Sequence, residues 1–191
     1  MLLCMNSKIT PRKARMKTPR SILAMLIAIV VLSSACSFEQ LEPGIDKNKF
    51  AKLNTAALSV KASIDAGASY QQVVDKAKIL SGEITAMKDL ATTKREKRLL
   101  KAYSDLLAIY RDGLLLWEYR EYFPHLAPER KGRIYVAQDV ESIVEKYRFS
   151  TESHVYAPTG QTWKSIPPDS IRIVWNNADD QLVIIKNITN Y

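Results

Sequence analysis

Apolar side chains recur at alternating intervals of three and four residues through most of the stretch from Phe50 to Trp117, and that period confines the stretch to amphipathic helices. Positions spaced this way share one face of a 3.6-residue turn and leave the remaining faces to polar groups. Phe50, Leu53, Ala57, Val60 and Ile64 define a first helix that stops near Gly67. Ser69 and Gln72 then form a capping box, in which the serine oxygen accepts an orphan backbone N–H and the glutamine reaches back to the cap. The helix it opens carries Val73, Ala77, Leu80, Ile84, Met87 and Ala91 on one stripe. Thr93 and Glu96 repeat the box, so a third helix starts there and continues through Leu99, Tyr103, Leu106, Tyr110, Gly113 and Trp117. Pro124 ends it, because a proline has no N–H to give the ladder. Roughly 28 residues at 1.5 Å per residue would make a rod of about 40 Å.

A fourth helix is expected after Pro128, at the first-turn position that suits proline, with Ala137, Val140, Ile143, Val144 and Tyr147 on its buried side. The last segment, residues 170–188, places Ile171, Val174, Trp175, Ala178, Leu182 and Ile185 at helical spacing. Its Leu182, Val183, Ile184 and Ile185 also suit a strand, but the longer helical period and the want of a convincing partner strand favour helix. Short connections between the first four helices make them antiparallel neighbours. The expected fold class is therefore all-α: an antiparallel bundle of four to five helices in one domain, residues 46–191.

The N-terminus has a different character. Lys17 and Arg20 precede eleven consecutive apolar residues, Ile22 through Leu32, and then Ser33, Ser34 and Ala35 lead to Cys36. A basic start, a short apolar core and small residues before the cut describe a secretory signal. With a cysteine at the first mature position, the segment resembles the signal of bacterial lipoproteins. That resemblance implies a diacylglycerol on the Cys36 thiol, cleavage between Ala35 and Cys36, and further acylation of the new N-terminus. Ser37 after the cysteine, where an aspartate does not stand, resembles the signals that send such proteins to the outer membrane, facing the periplasm, in Gram-negative hosts. A membrane-spanning helix over residues 21–38 is the competing reading, but eleven apolar residues fall well short of the about 20 a span needs. Translation from Met16 would give a signal of ordinary length, so residues 1–15 belong to the protein only if Met1 is the start. Residues 36–45 form a lipidated tether, and nine extended residues after Cys36 reach at most about 30 Å, which holds the domain close to the membrane.

Charge and cysteine content narrow the function classes. The chain carries a formal +8, but residues 1–35 hold six of the basic side chains and none of the acidic ones, which leaves 22 basic and 20 acidic residues afterwards. A net charge of +2 gives no basis for a nucleic-acid partner. Lys94, Arg95, Lys97, Arg98 and Lys101 form the densest basic patch; a solvated helix start is its plain reading, and anionic headgroups or an acidic partner its functional one. Cys36 is the one cysteine left after processing, so no intramolecular disulfide is expected in an oxidising compartment and the core alone must hold the fold.

Motifs for chemistry are sparse. His125 and His154 have no ligand spacing to each other or to a cysteine, so neither a metal nor another cofactor is expected. Nucleophile elbows and phosphate-cradling glycine loops are absent from the sequence, which disfavours an enzyme. Tyr103, Tyr110 and Trp117 fall seven apart and suggest an aromatic groove; with Leu106 and Gly113 between them a packed helix seam is the better reading, Gly113 letting a neighbour approach closely. Residues 149–167 lack helical period. A loop of that length with His154, Tyr156, Gly160 and Trp163 suits ordered recognition, although Trp163 plugging the end of the bundle is the plainer alternative. Two functions remain: a non-enzymatic, membrane-anchored envelope protein that binds another protein or a cell-wall component, or a carrier or sensor holding a small apolar ligand between its helices.

Overall fold

A computed structural model of the chain describes residues 44–122, 132–156 and 158–190. The signal segment with Ala35 and Cys36, almost all of the tether, and Pro124, His125 and Pro128 lie outside the described residues. The described chain is mostly helical: α1 (Ala51–Asp65), α2 (Tyr70–Met87), α3 (Lys94–Tyr122), β1 (Ile134–Tyr135), α4 (Gln138–Tyr147), β2 (Glu152–Tyr156), β3 (Gln161–Ile166) and α5 (Ser170–Asn190).

The local signals act where the sequence puts them. α1 ends at Asp65 and Gly67 takes φ +66, a left-handed turn that costs a residue without a Cβ nothing. At the start of α2 the Ser69 N–H donates to Gln72 Oε1 at 2.9 Å while the Gln72 N–H points back at Ser69 Oγ. At the start of α3 the Glu96 N–H donates to Thr93 Oγ1 at 3.1 Å, and Glu96 Oε2 accepts from the Thr92 and Thr93 N–H groups. These bonds satisfy donors that a helix N-terminus leaves without partners.

Helices α1, α2, α3 and α5 enclose the larger core, built from Leu53, Val60, Val73, Leu80, Leu99, Leu106 and their neighbours. Their directions follow from the contacts. Tyr70 meets Glu118 and Ser81 meets Arg111, so α2 and α3 run oppositely. Gln181 donates to the Ala102 carbonyl while Gly113 abuts Trp175, so α3 and α5 do too. The all-α expectation fails in the second half of the described chain. A second core of Leu116, Ile134, Val136, Val140, Ile143, Ile166, Ile171 and Val174 is covered on one side by an antiparallel sheet in the order β1-β3-β2.

Two expectations are corrected together. The expected helix start at Pro128 lies outside the described residues, but the helix carrying the expected buried side, α4, begins only at Gln138 with Ala137 as its N-cap, and residues 132–137 before it hold a turn and β1. The aperiodic stretch 149–167 is not a loop but mainly the hairpin β2–β3, in register His154 opposite Trp163 and Tyr156 opposite Gln161. β1 joins because Ile134 sits opposite Ile166, and both are fully buried. Alternation explains the result: Ile166 turns to the core while Ser165 and Trp163 turn to the other face. The 170–188 segment is helix throughout, and Ile171, Val174, Ala178 and Ile185 are buried as its period requires.

Candidate functional site

The candidate residues of the aperiodic stretch all fall on β2–β3. Glu152, His154 and Tyr156 share one face with Gln161, Trp163 and Ser165, since cross-strand partners in an antiparallel pair point the same way. The His154 and Trp163 rings stack at 4.0 Å between centroids, and Trp163 lies 6.3 Å from the Tyr135 ring of β1. Trp163 is half-buried, and among the described residues its ring lies on the face of the sheet shared by Tyr135 and His154. Below the aromatics is a polar strut. Arg133 Nε donates to Ser165 Oγ at 2.7 Å, and the same oxygen shares a hydrogen bond of 2.8 Å with His154 Nε2, its direction set by the tautomer. Arg133 Nη2 lies 3.1 Å from Glu152 Oε2 without the alignment of a hydrogen bond, so that contact is electrostatic.

A serine within reach of a histidine invites a nucleophile reading. Accessibility argues against it: Ser165 is fully buried, Arg133 claims its oxygen, and Glu152 is turned toward the guanidinium. The cluster ties three strands together. Exposed apolar surface lies beside it, at the hairpin tip, where Val155 is 66% and Tyr156 52% exposed. Pro158, Thr159 and Gly160, the last at φ +69, turn the chain between the strands, and the Gly160 N–H donates to the Tyr156 carbonyl at 2.8 Å. That Pro-Thr-Gly turn between β-branched and aromatic residues is the signal that marks a hairpin, and helical periodicity alone passes over it.

The basic patch lies on the first two turns of α3. Lys94, Lys97, Arg98 and Lys101 are exposed and Arg95 is half-buried; Lys101 pairs with Asp105 at 2.8 Å. The chemistry nearby centres on Glu96, which points inward. Its carboxylate takes Lys49 Nζ at 2.6 Å, and that bond, with the Thr92 and Thr93 N–H groups, holds it down at about 2 against the cost of burial. Glu96 therefore links the start of α1 to the start of α3, a role its place in a capping box does not reveal.

The aromatic seam is packed as expected. Tyr103 and Tyr110 are buried and Trp117 half-buried. The Tyr103 hydroxyl donates to Asn54 Oδ1 at 3.1 Å, and burial pushes its phenol up to about 12. Tyr70 meets the edge of Trp117 at 5.9 Å. On its far side Tyr103 helps to floor a groove of about 780 Å³ between α1 and α5, walled by Leu58, Leu182, Val183 and Ile185. The Lys61–Asp179 ion pair, 2.8 Å long, crosses one end of it.

Among the described residues no group of three His, Cys, Asp or Glu side chains is placed to hold a metal ion, and no helix is long and apolar enough to cross a membrane. No family model, curated protein or solved structure matches this chain.

Proposed function

We propose that the protein is a bacterial envelope lipoprotein, cleaved after Ala35 and anchored through acyl chains on Cys36, whose folded part is a non-enzymatic binding module. In a Gram-negative host it sits on the outer membrane facing the periplasm. It takes no cofactor, and its tether keeps it near the bilayer. Two or three acyl chains suffice for a stable anchor at about 0.8 kcal/mol per buried CH₂, where one would not. One observation carries the binding reading: β2 is an outer strand of the sheet among the described residues, and it exposes Tyr156 on the face of Trp163 and Val155 on the opposite face. An outer strand with exposed apolar side chains is a template for another protein's strand, main-chain bonds supplying affinity and alternate side chains selectivity. A second reading, a carrier or sensor of an apolar ligand, is favoured by the groove between α1 and α5.

Two measurements test the proposal. Intact mass of protein extracted from membranes should show the loss of residues 1–35 and the addition of acyl mass; an unmodified chain retaining its leader would refute the anchor. A photo-crosslinking residue at Tyr156 should capture one envelope protein in intact cells, and Val155→Lys should abolish that capture. Capture equal to that from an exposed site on α2 would refute the hairpin's role.

A further inference from the structure

The groove between α1 and α5 has a length, a lining and a charge that together select one kind of occupant. α1 and α5 lie side by side in opposite directions: Lys61 meets Asp179 at one end, and Ala51 and Asn190 belong to the other. Some ten residues of helix at 1.5 Å each make the channel about 15 Å long. One leaflet of a bilayer's hydrocarbon core is about 15 Å thick, so the groove matches the length of a single membrane-lipid acyl chain. Its volume of about 780 Å³ is in the range of sites that enclose small ligands.

The walls are apolar where they need not be for folding. Leu58 is 47% and Val183 56% exposed, and both line the groove. Apolar side chains left half in water along a channel gain by covering with another apolar body. The rim is cationic. Lys47, Lys61 and Lys186 line the groove against a single acid, Asp179, which Lys61 already neutralises. Lys47 and Lys186 make no ion pair among the described residues, and both belong to the end opposite Asp179. At the floor, the Tyr103 hydroxyl donates to Asn54 Oδ1, so it asks no acceptor of a ligand.

We infer that this groove binds one long-chain fatty carboxylate, its tail lying between Leu58 and Val183 and its head held by Lys47 and Lys186. This names the ligand class for the carrier reading and rests on it; it is independent of the anchor at Cys36. A cationic or neutral amphiphile of the same length would have the tail contact without the head contact, and one exposed ion pair is worth about fivefold in affinity.

The test uses the full chain, reconstituted in neutral phosphatidylcholine nanodiscs, and a hexadecanoic acid carrying a photoreactive group in mid-chain. Labelled peptides should contain Leu58 or Val183, and unlabelled hexadecanoate should compete about fivefold better than hexadecanol or hexadecyltrimethylammonium. Val183→Glu, at an exposed position, should reduce labelling at least tenfold while the far-ultraviolet circular dichroism is unchanged. Lys47→Gln with Lys186→Gln should retain labelling and erase the preference for carboxylate. Equal competition by all three amphiphiles would overturn the carboxylate assignment and leave the carrier reading standing. Labelling elsewhere, or labelling indifferent to Val183→Glu, would overturn both, as would a stable dimer in sedimentation that Val183→Glu dissolves, which would make a second copy the occupant.

Discussion

Replacing Gly113 by alanine sets two effects of comparable size against each other. In a mid-helix position alanine is favoured over glycine by about 1 kcal/mol. A Cβ on residue 113, however, would lie 2.2, 2.3 and 2.8 Å from three ring carbons of Trp175 on α5, where carbon contacts relax only near about 3.5 Å. The ring must then retreat by about 1 Å. It has little room, because Trp175 also packs against Tyr110, with centroids 6.3 Å apart, and touches both cores. Overpacking of this kind costs about 1–3 kcal/mol, and a flat ring held between two helices puts it near the top of that range. The net expectation for Gly113→Ala is a loss of about 2 kcal/mol, or about 4–8 °C in Tm for a domain of this size. Urea unfolding followed by tryptophan fluorescence and circular dichroism measures it. The double variant Gly113→Ala with Trp175→Leu should be more stable than the sum of the single effects by about 3 kcal/mol, since the clash is gone while the helix-propensity gain of alanine remains. A Gly113→Ala protein about 1 kcal/mol more stable than the parent would refute the reasoning, because it would mean that helix propensity decides and that the α3–α5 contact yields freely.

Three further expectations follow from particular groups. Glu96, held at about 2 against an ordinary value near 4.5, contributes stability that is fully present above pH 4.5 and is lost as the pH falls toward 2. The shift corresponds to about 3 kcal/mol, trimmed to about 2 by the solvent that reaches Lys49, which is 25% exposed; Glu96→Gln should flatten the acid limb of a stability-versus-pH curve between 5 and 2. The Tyr110 hydroxyl is buried without a hydrogen-bond partner, whereas that of Tyr103 has Asn54, so Tyr110→Phe should leave thermal stability unchanged or raise it by about 1 kcal/mol while Tyr103→Phe lowers it by a similar amount; the opposite order in calorimetry would be contrary evidence. Arg148 closes α4 in the left-handed region at φ 55, a conformation that costs a residue with a Cβ about 1 kcal/mol, so Arg148→Gly should stabilise by that amount in urea unfolding.

Candidate residues are legible in the sequence to very different degrees. The proposed anchor at Cys36 rests on sequence order alone, because a secretory signal of this kind is linear. His154, Tyr156 and Trp163 could be singled out for their chemistry but not placed: only the register of β2 against β3 stacks His154 on Trp163 and leaves Tyr156 in solvent. The groove could not be read at all, since its walls come from α1 and α5, and Leu58 and Val183 look like ordinary helical apolar residues in one dimension.

By itself the sequence determined α1, α2, α3 and α5, with their stripes and their caps at Ser69 and Thr93, because a helix closes its hydrogen bonds within four residues and its signals lie equally close. Only the tertiary structure decided that residues 149–167 become strands, that two residues of β1 hold a place beside β3, and that Glu96 faces Lys49. A strand gets its hydrogen bonds from a partner elsewhere in the chain and a buried charge gets its counterion the same way, so neither exists until distant segments have met.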